Sequence, residues 1–252
     1  MEVIILGTGT SQGIPQIGCD CKVCRSSNEK DKRSRASLFL KIDDKNILID
    51  AGPDFRQQML RENINKIDAI LFTHEHRDHI GGLDDVRSFN FMTKKPMDIY
   101  AEKRVQEALR NNFTYIFTAN YPGIPRLNLN TINEEIFFID NIKVQPIRVM
   151  HYNLPILGFR IGELTYITDA NYISEEEKTK IFGSKILIIN ALRKEKHISH
   201  FSLEETVEII TQCCPRKAYL THLSHHMGLH DEVNTQLPEN VEIAYDRLKI
   251  VI

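Results

Sequence analysis

The stretch Thr-His-Glu-His-Arg-Asp-His-Ile-Gly-Gly at residues 73–82 decides how the rest of the chain is interpreted. It follows a short apolar run with the composition of a buried strand. Side chains two apart on an extended segment point the same way, so His74 and His76 are placed to bind one ion. Asp78 and His79, beyond the turn, are placed to face a second ion. Imidazole and carboxylate ligands suit zinc, manganese and iron, so this density of groups favours a metal site over solvated loop histidines.

The composition is that of an ordinary globular protein, with 42% hydrophobic and 26% charged residues. A formal net charge of −2 disfavours a broad nucleic-acid-binding surface. No apolar run approaches the ~20 residues that cross a bilayer, and no basic leader opens the chain. We therefore expect a cytoplasmic protein without membrane contact. Strands and helices alternate without a linker or repeat, which predicts one domain over residues 1–252.

Three of the five cysteines, Cys19, Cys21 and Cys24, lie close together. In a cytoplasmic protein this clustering favours a metal site over disulfides. Three thiolates at this spacing can share one tetrahedral zinc and leave a fourth position for a ligand from elsewhere. Three free thiols in a loop are the alternative, and it is weaker because no apolar pattern surrounds them.

Single polar residues also follow several apolar runs further along the chain. His151, Asp169 and His222 each stand directly after a predicted strand. Any one of them alone could be a polar residue satisfied at a strand end. Several strand ends at one edge of a sheet, however, are where active sites are assembled.

Local signals predict further elements. Asp54 is expected to cap the helix that begins at Phe55, and Ser202 to begin a helix with a Ser-x-x-Glu capping box. The aromatic segment 111–129 is interrupted by prolines and predicts a long loop or lid, with a satellite hydrophobic cluster as the alternative. The last two apolar runs, 241–244 and 248–252, predict a terminal hairpin.

The His-x-His-x-Asp-His motif with its following Gly-Gly, together with the later strand ends, resembles the metallo-β-lactamase superfamily of metallohydrolases. The resemblance extends over essentially the whole chain. It implies an α/β fold, a four-layer αββα sandwich, and two catalytic divalent ions, either manganese or zinc, with iron as a further option. It also implies ligands for the first ion (His74, His76 and His151), for the second ion (Asp78, His79 and His222) and for a bridge between them (Asp169).

A narrower resemblance rests on Gly-x-Gly-Thr-Ser-Gln-Gly-x-Pro at residues 7–15, the cysteine cluster, and Thr-His-Leu-Ser-His at residues 221–225. These motifs are similar to those of the phosphoribosyl 1,2-cyclic phosphate phosphodiesterase family. That similarity implies His225 as the fourth ligand of a structural zinc, His200 as the catalytic proton donor and a possible homodimer. His197 is the second candidate for the donor, and Asp78 is expected to serve catalysis as well as metal binding.

Two ions a few ångströms apart lower the pKa of a bridging water and neutralise charge on a phosphoryl group, so hydroxide can attack phosphorus in line. The leaving alkoxide then needs a proton, for which a histidine suits neutral pH. The leading hypothesis is a dinuclear phosphodiesterase that acts on a small cyclic phosphodiester. A nuclease like the transfer-RNA 3′-processing enzymes is disfavoured, because no long basic arm is present. Two further hypotheses stay open, namely a protein like pyrroloquinoline quinone biosynthesis protein B and a non-catalytic metal-binding protein.

Overall fold

The computed structural model describes residues 1–252 and contains two seven-stranded sheets. The strands are β1 (Glu2–Gly7), β2 (Ser37–Ile42), β3 (Lys45–Ile49), β4 (Ala69–Leu71), β5 (Met97–Ala101), β6 (Leu127–Thr131), β7 (Phe137–Ile139), β8 (Ile142–His151), β9 (Leu154–Ile161), β10 (Leu164–Ile167), β11 (Ile186–Asn190), β12 (Lys217–Thr221), β13 (Val241–Ile243) and β14 (Lys249–Val251). The helices are α1 (Phe55–Arg61), α2 (Arg77–Ile80), α3 (Arg87–Thr93), α4 (Lys103–Asn112), α5 (Thr114–Thr118), α6 (Glu175–Ile181), α7 (Leu203–Cys213) and α8 (His230–Asn234). No helix combines the length and the apolar character that a membrane span requires.

Strand direction brings several carboxyl ends to one edge of each sheet. The first sheet has the order β14-β1-β2-β3-β4-β5-β6, and the second has the order β13-β12-β11-β10-β9-β8-β7. Strands β3 to β6 run parallel, and so do β10 to β13. Strand β8 shares the direction of β10, because both pair antiparallel with β9. The polar residues that follow these strands therefore meet at a common edge.

Three apolar clusters fill the three interfaces between layers, one between the sheets and one between each sheet and its helices. Strand β1 shows how the sequence achieves this. Val3 and Ile5 face the opposite sheet, whereas Ile4 and Leu6 face the helices. Alternating side chains are thus apolar on both faces, as expected for strands covered on both sides. The predicted αββα sandwich is confirmed.

The prediction of a terminal hairpin is wrong. Strand β13 pairs parallel with β12 in the second sheet, whereas β14 pairs antiparallel with β1 in the first. The intervening residues cross between the sheets, and Asp246 anchors the crossing by accepting hydrogen bonds from Thr8 and Ser34. Long-range pairing with existing sheet edges has replaced the local turn that the sequence pattern favoured.

The predicted cap at Asp54 is also wrong, because its carboxylate accepts the backbone N–H of Arg35 at 2.7 Å and forms an ion pair with Arg35 Nε at 3.0 Å. Segment 111–129 contains helix α5 and the start of β6, so the long-loop prediction is wrong there. Phe113 and Ile116 are buried in the large apolar cluster between the first sheet and its helices, so this part of the segment joins the main core and not a satellite cluster. The capping box at Ser202 is confirmed, since its hydroxyl accepts from the Glu205 N–H and Glu205 accepts from the Ser202 N–H.

Candidate metal centre

The structure brings the seven predicted catalytic-metal ligands together at the common strand-end edge. The residues come from both sheets, since they follow or end β4, β8, β10 and β12. They form two sets, and within each set the ligand atoms lie within 4.8 Å of one another. The first set contains His74, His76 and His151, and the second contains Asp78, His79, Asp169 and His222.

Three residues at this edge turn sharply as their strands end. Asp50, Asp169 and His222 adopt left-handed backbone conformations, with φ of 64°, 59° and 54°. Such φ values are uncommon outside glycine, although aspartate and histidine tolerate them better than most residues. Backbone strain of this kind clusters at functional sites, where the surrounding structure holds it in place. Here the turns follow β3, β10 and β12, and the three side chains are all buried.

The distances in the second set fit a bound ion. Asp169 Oδ1 lies 3.2 Å from His79 Nε2, and Asp169 Oδ2 lies 3.2 Å from His222 Nε2. Asp78 Oδ2 lies 3.3 Å from His79 Nε2. Ligands about 2.0–2.1 Å from a tetrahedral ion are about 3.3 Å apart. Asp169 Oδ2 is also 3.9 Å from His74 Nε2, so this carboxylate stands between the two sets.

The Nε2 atoms of His74, His79 and His222 are buried and have no hydrogen-bond partner in the protein. Buried polar atoms are almost always satisfied, so three unpartnered nitrogens within two adjoining ligand sets indicate that both sets are built to hold a ligand. A divalent cation fits them, because imidazole nitrogen is a common ligand for zinc, manganese and iron.

Hydrogen bonds to the other ring nitrogens set the orientation of these histidines. Nδ1 of His151 lies 2.8 Å from the carbonyl oxygen of Ser199, to which it donates in the tautomer that leaves Nε2 free. Nδ1 of His74 lies 2.9 Å from the Thr73 hydroxyl. Nδ1 of His79 lies 2.7 Å from a carboxylate oxygen of Asp50. Contacts of this kind fix the ring and its tautomer in metal sites.

Asp50 is a functional candidate that sequence reasoning missed. It is fully buried and also accepts the N–H and the hydroxyl of Thr73, each at 2.9 Å. The signal that could have found it is the one used for Asp169, namely a carboxylate that directly follows a buried strand. Asp50 does not belong to either ligand set and acts through the residues that do.

The electrostatics of the centre favour a cation. Burial alone would lower the pKa of His79, yet Asp169, Asp78 and Asp50 raise it well above its ordinary value. Burial alone would raise the pKa of Asp169, yet His222 and His79 hold it well below its usual range. The buried carboxylates thus stabilise positive charge at this point, and a metal ion would supply that charge in place of protons.

His200 and His197 lie on the same side of the centre at different depths. The His200 ring is buried, with its centroid 4.6 Å from that of His151 and 4.9 Å from that of His222. The His197 ring lies 5.4 Å from His200, further from the ligand sets. Burial, followed by the charge of His222, lowers the pKa of His200 to about 3. His200 also lies within ligand distance of His151 and Asp169, so its geometry permits metal binding as well.

A cleft of about 590 Å³ opens beside His200. It is lined by 15 residues, and none of them is an aspartate or a glutamate. Arg193, His197 and His226 contribute nitrogen groups to its wall, and Gln12 contributes an amide. Apart from the thiol of Cys19, no side chain in this wall can carry negative charge, so the cleft is suited to an anion.

The cysteine cluster and His225 also come together. His225 Nδ1 lies 3.2 Å from Cys19 Sγ, 3.3 Å from Cys21 Sγ and 3.6 Å from Cys24 Sγ. For a tetrahedral zinc with sulfur at about 2.3 Å and nitrogen at about 2.0–2.1 Å, these separations would be about 3.5 Å. The N–H of Cys24, and then His225 and Cys19, lower the pKa of Cys21 to about 6, which favours its thiolate, whereas burial raises the pKa of Cys24 to about 11.

Comparison with known proteins gives one family match and two structural similarities. The model of the beta-lactamase superfamily domain matches residues 45–223. A crystal structure of a diphosphatase from the PhnP family superposes with a TM-score of 0.94 at 39% identity, covering 99% of this chain and 96% of that one. Zinc-bound PqqB from Methylobacterium extorquens superposes over the full length of both chains with a TM-score of 0.82 at 18% identity, which shows a shared fold.

A further similarity is to a longer protein. The octanoyltransferase of Porphyromonas gingivalis is 43% identical over 256 residues, which cover all of this chain but 52% of that protein. The chain spans about half the length, or less, of the curated relatives that it matches. Each relative's name therefore describes a protein with a substantial part outside the matched region.

Proposed function

The chain belongs to the metallo-β-lactamase superfamily and, within it, to the PhnP family, and we propose that it is a dinuclear metal-dependent phosphodiesterase acting on a small cyclic phosphodiester. The observation that carries the proposal is the pair of adjoining ligand sets whose buried Nε2 atoms have no partner in the protein. The cleft beside them has no aspartate or glutamate in its wall, which favours an anionic substrate over a neutral one.

We assign the first ion to His74, His76 and His151 and the second to Asp78, His79 and His222, with Asp169 between them. Two divalent ions, of manganese, zinc or iron, would activate water and neutralise charge on a phosphoryl group. Asp169 suits the bridging position because its Oδ2 lies 3.2 Å from Nε2 of His222 in the second set and 3.9 Å from Nε2 of His74 in the first. Within the first set His76 is the exposed member, so that side of the centre is open to substrate.

The substrate would lie across the ligand sets with its leaving group in the cleft. His200, in the wall of that cleft, is placed to donate a proton to the departing alkoxide. With its pKa lowered to about 3, free His200 is neutral at pH 7, so the bound anion must raise its pKa before it can donate. Asp78, with 13% of its side chain exposed against 3% for Asp169, is placed to accept a proton from the attacking water.

The zinc proposed at Cys19, Cys21, Cys24 and His225 would be structural, because four protein ligands leave no open position. Its site adjoins the catalytic centre through a short turn, since His225 follows His222 by three residues. The Cys19 and His225 side chains also line the cleft. A zinc here would therefore hold the wall against which the substrate lies.

The competing functions differ in what they would bind. A transfer-RNA nuclease needs a surface that grips a polyanion, and the chain has no long basic arm for it. An activity like that of PqqB is favoured by the shared fold at 18% identity and by curated PQQ synthesis B proteins that are 28% and 31% identical over 54% and 44% of this chain, so its support covers only part of the chain. Octanoyl transfer is the activity named for a protein of which this chain covers 52%, so that name describes a protein with about half of its length outside the match.

The test is hydrolysis of bis-p-nitrophenyl phosphate and of cyclic ribose phosphates by protein loaded with Mn²⁺ or Zn²⁺. We expect turnover that a chelator abolishes and that excess metal restores. A β-lactam and a thioester serve as comparison substrates that lack a phosphodiester bond. A folded transfer-RNA precursor tests for nuclease activity. Protein that carries both ions and is inert towards every diester would support a non-catalytic, metal-binding role.

A further inference from the structure

Arg104, in the first turn of α4, makes two contacts with the segments that carry the first ligand set. Its Nη1 donates to Oε1 of Glu75, which lies between His74 and His76 in the motif. Its Nη2 donates to the backbone oxygen of Pro155 at 2.6 Å. One guanidinium therefore joins two backbone segments that are far apart in the sequence.

The two segments belong to different sheets. Glu75 follows β4 of the first sheet, whereas Pro155 lies in β9 of the second. In the pairing of β8 with β9, Pro155 is opposite Met150, and Leu154 is opposite His151. The Arg104 contacts thus reach the loop of His74 and His76 on one side and the neighbour of the His151 strand end on the other.

A second arginine makes a reciprocal connection close by. Arg148, in β8 three residues before His151, donates to both carboxylate oxygens of Glu102, at 2.5 and 3.0 Å. Glu102 directly precedes α4, on the first-sheet side. Its Oε2 also lies 3.8 Å from Arg104 Nη2, so the arginines share one carboxylate. The connection between the sheets is therefore a network rather than a single exposed ion pair.

We propose that Arg104 is a positioning residue that sets the spacing between His74 and His76 on the first sheet and His151 on the second. The inference rests on the proposed function in that these histidines hold the first ion. Arg104 contacts no residue of the ligand sets directly and acts through Glu75 and the Pro155 carbonyl. The planar guanidinium fork suits this task, because it can donate to two acceptors in fixed directions at once.

Removing Arg104 should relax the spacing without unfolding the protein. The N–H of Leu157 in β9 also donates to the carbonyl of Thr73 at 3.1 Å, and this backbone link between the sheets would remain. The interface between the sheets is filled by a large apolar cluster that Arg104 does not enter. Residues that orient metal ligands typically contribute about 10–100-fold to metal affinity.

The experiment begins with protein from which the catalytic ions have been removed but which keeps the structural zinc. This protein is titrated with Mn²⁺. The binding step that is present in the wild type and absent in His151→Ala is the one that belongs to the first site. We expect Arg104→Met to weaken that step by about tenfold or more while leaving the second step and the zinc content unchanged. Arg104→Lys should lie between the wild type and Arg104→Met, because it keeps the charge but loses the fork.

Arg160→Ala is the matched control, since Arg160 also donates to backbone carbonyls, those of Gly162, Lys180 and Phe182, away from the ligand sets. It should leave both Mn²⁺ steps unchanged. Glu75→Ala removes the acceptor and should reproduce the Arg104→Met loss, and the double variant should add nothing, because the two residues act as one unit. Unchanged first-site affinity in Arg104→Met, or an equal loss at both sites, would overturn the inference. Wild-type protein that binds none of Mn²⁺, Zn²⁺ and Fe²⁺ at the ligand sets would overturn the proposed function and this inference with it.

Discussion

A carboxylate oxygen of Asp50 lies 2.7 Å from Nδ1 of His79 and accepts a hydrogen bond from it, which directs the His79 Nε2 atom at the second ligand set. The same carboxylate accepts the Thr73 hydroxyl, whose oxygen in turn lies 2.9 Å from Nδ1 of His74. One buried side chain thus orients His79 of the second set directly and His74 of the first set through Thr73. Hydrogen bonds of this kind fix the tautomer that leaves the ligating nitrogen free.

Asp50→Asn tests this relationship. The amide keeps the shape of the carboxylate but has one acceptor oxygen, so it cannot accept all the bonds that Asp50 accepts. We expect metal affinity and kcat/KM to fall by about 10–100-fold while the protein remains folded. Metal content by elemental analysis and circular dichroism would check both parts. Asp54→Asn is the control, since Asp54 contacts Arg35 and no ligand histidine. Equal metal content in the two variants would contradict the assignment.

His200→Ala tests the proton donor through its dependence on the leaving group. We expect the rate to fall by about 10²–10⁴-fold for diesters that release an alkoxide, because such a leaving group needs a proton. The fall should be much smaller for bis-p-nitrophenyl phosphate, whose leaving group is stable as an anion. His197→Ala is the matched control, since its ring is one layer further from the ligand sets.

The interpretation requires that His200→Ala still binds both catalytic ions, which metal analysis checks. This control is needed because His200 lies within ligand distance of His151 and Asp169. A loss of rate that is equal for both leaving groups and accompanies loss of metal would assign His200 to the metal centre instead. If His197→Ala shows the leaving-group dependence and His200→Ala does not, then His197 is the donor.

Cys21→Ser tests the structural zinc. We expect the loss of one zinc equivalent and a large fall in the free energy of unfolding, because metal binding at a closed site is coupled to folding. Cys214→Ser is the control, since Cys214 is exposed and lies outside the cluster. Elemental analysis gives the zinc content, and denaturant titration gives the stability. Unchanged zinc in Cys21→Ser would remove the hypothesis of a three-cysteine, one-histidine site.

The sequence allowed prediction of the parts that depend on local pattern. Apolar runs of strand length indicated the buried strands, and the polar residue after each run indicated the edge where the ligand sets lie. The terminal hairpin was mispredicted because β13 and β14 add to different sheets, and the partner of β14 is β1, at the opposite end of the chain. Arg104 could not be assigned from sequence for the same reason, since its contacts with Glu75 and Pro155 are purely tertiary.

The last prediction concerns stability at acidic pH. His230 is buried at the start of α8, and burial, followed by the charges of Arg33 and Lys30, lowers its pKa to about 4 from an ordinary 6.5. Arg33 Nη2 lies 3.4 Å from Nδ1 of His230, which suits a neutral ring that accepts a hydrogen bond. Between these two pKa values the unfolded chain binds a proton that the folded protein does not. Stability should therefore fall as the pH is lowered through this window.

His230→Gln removes this titration and leaves every ligand residue in place. Denaturant midpoints of the wild type and the variant should be compared at steps between pH 7 and pH 4, with zinc and manganese held constant. Protonation of the other histidines affects both proteins and cancels in the difference between them. We expect the advantage of the wild type over the variant to shrink as the pH falls, because only the wild type has a buried neutral histidine at this position to protonate on unfolding. A difference that stays constant across the window would show that His230 has the same pKa in the folded and unfolded states.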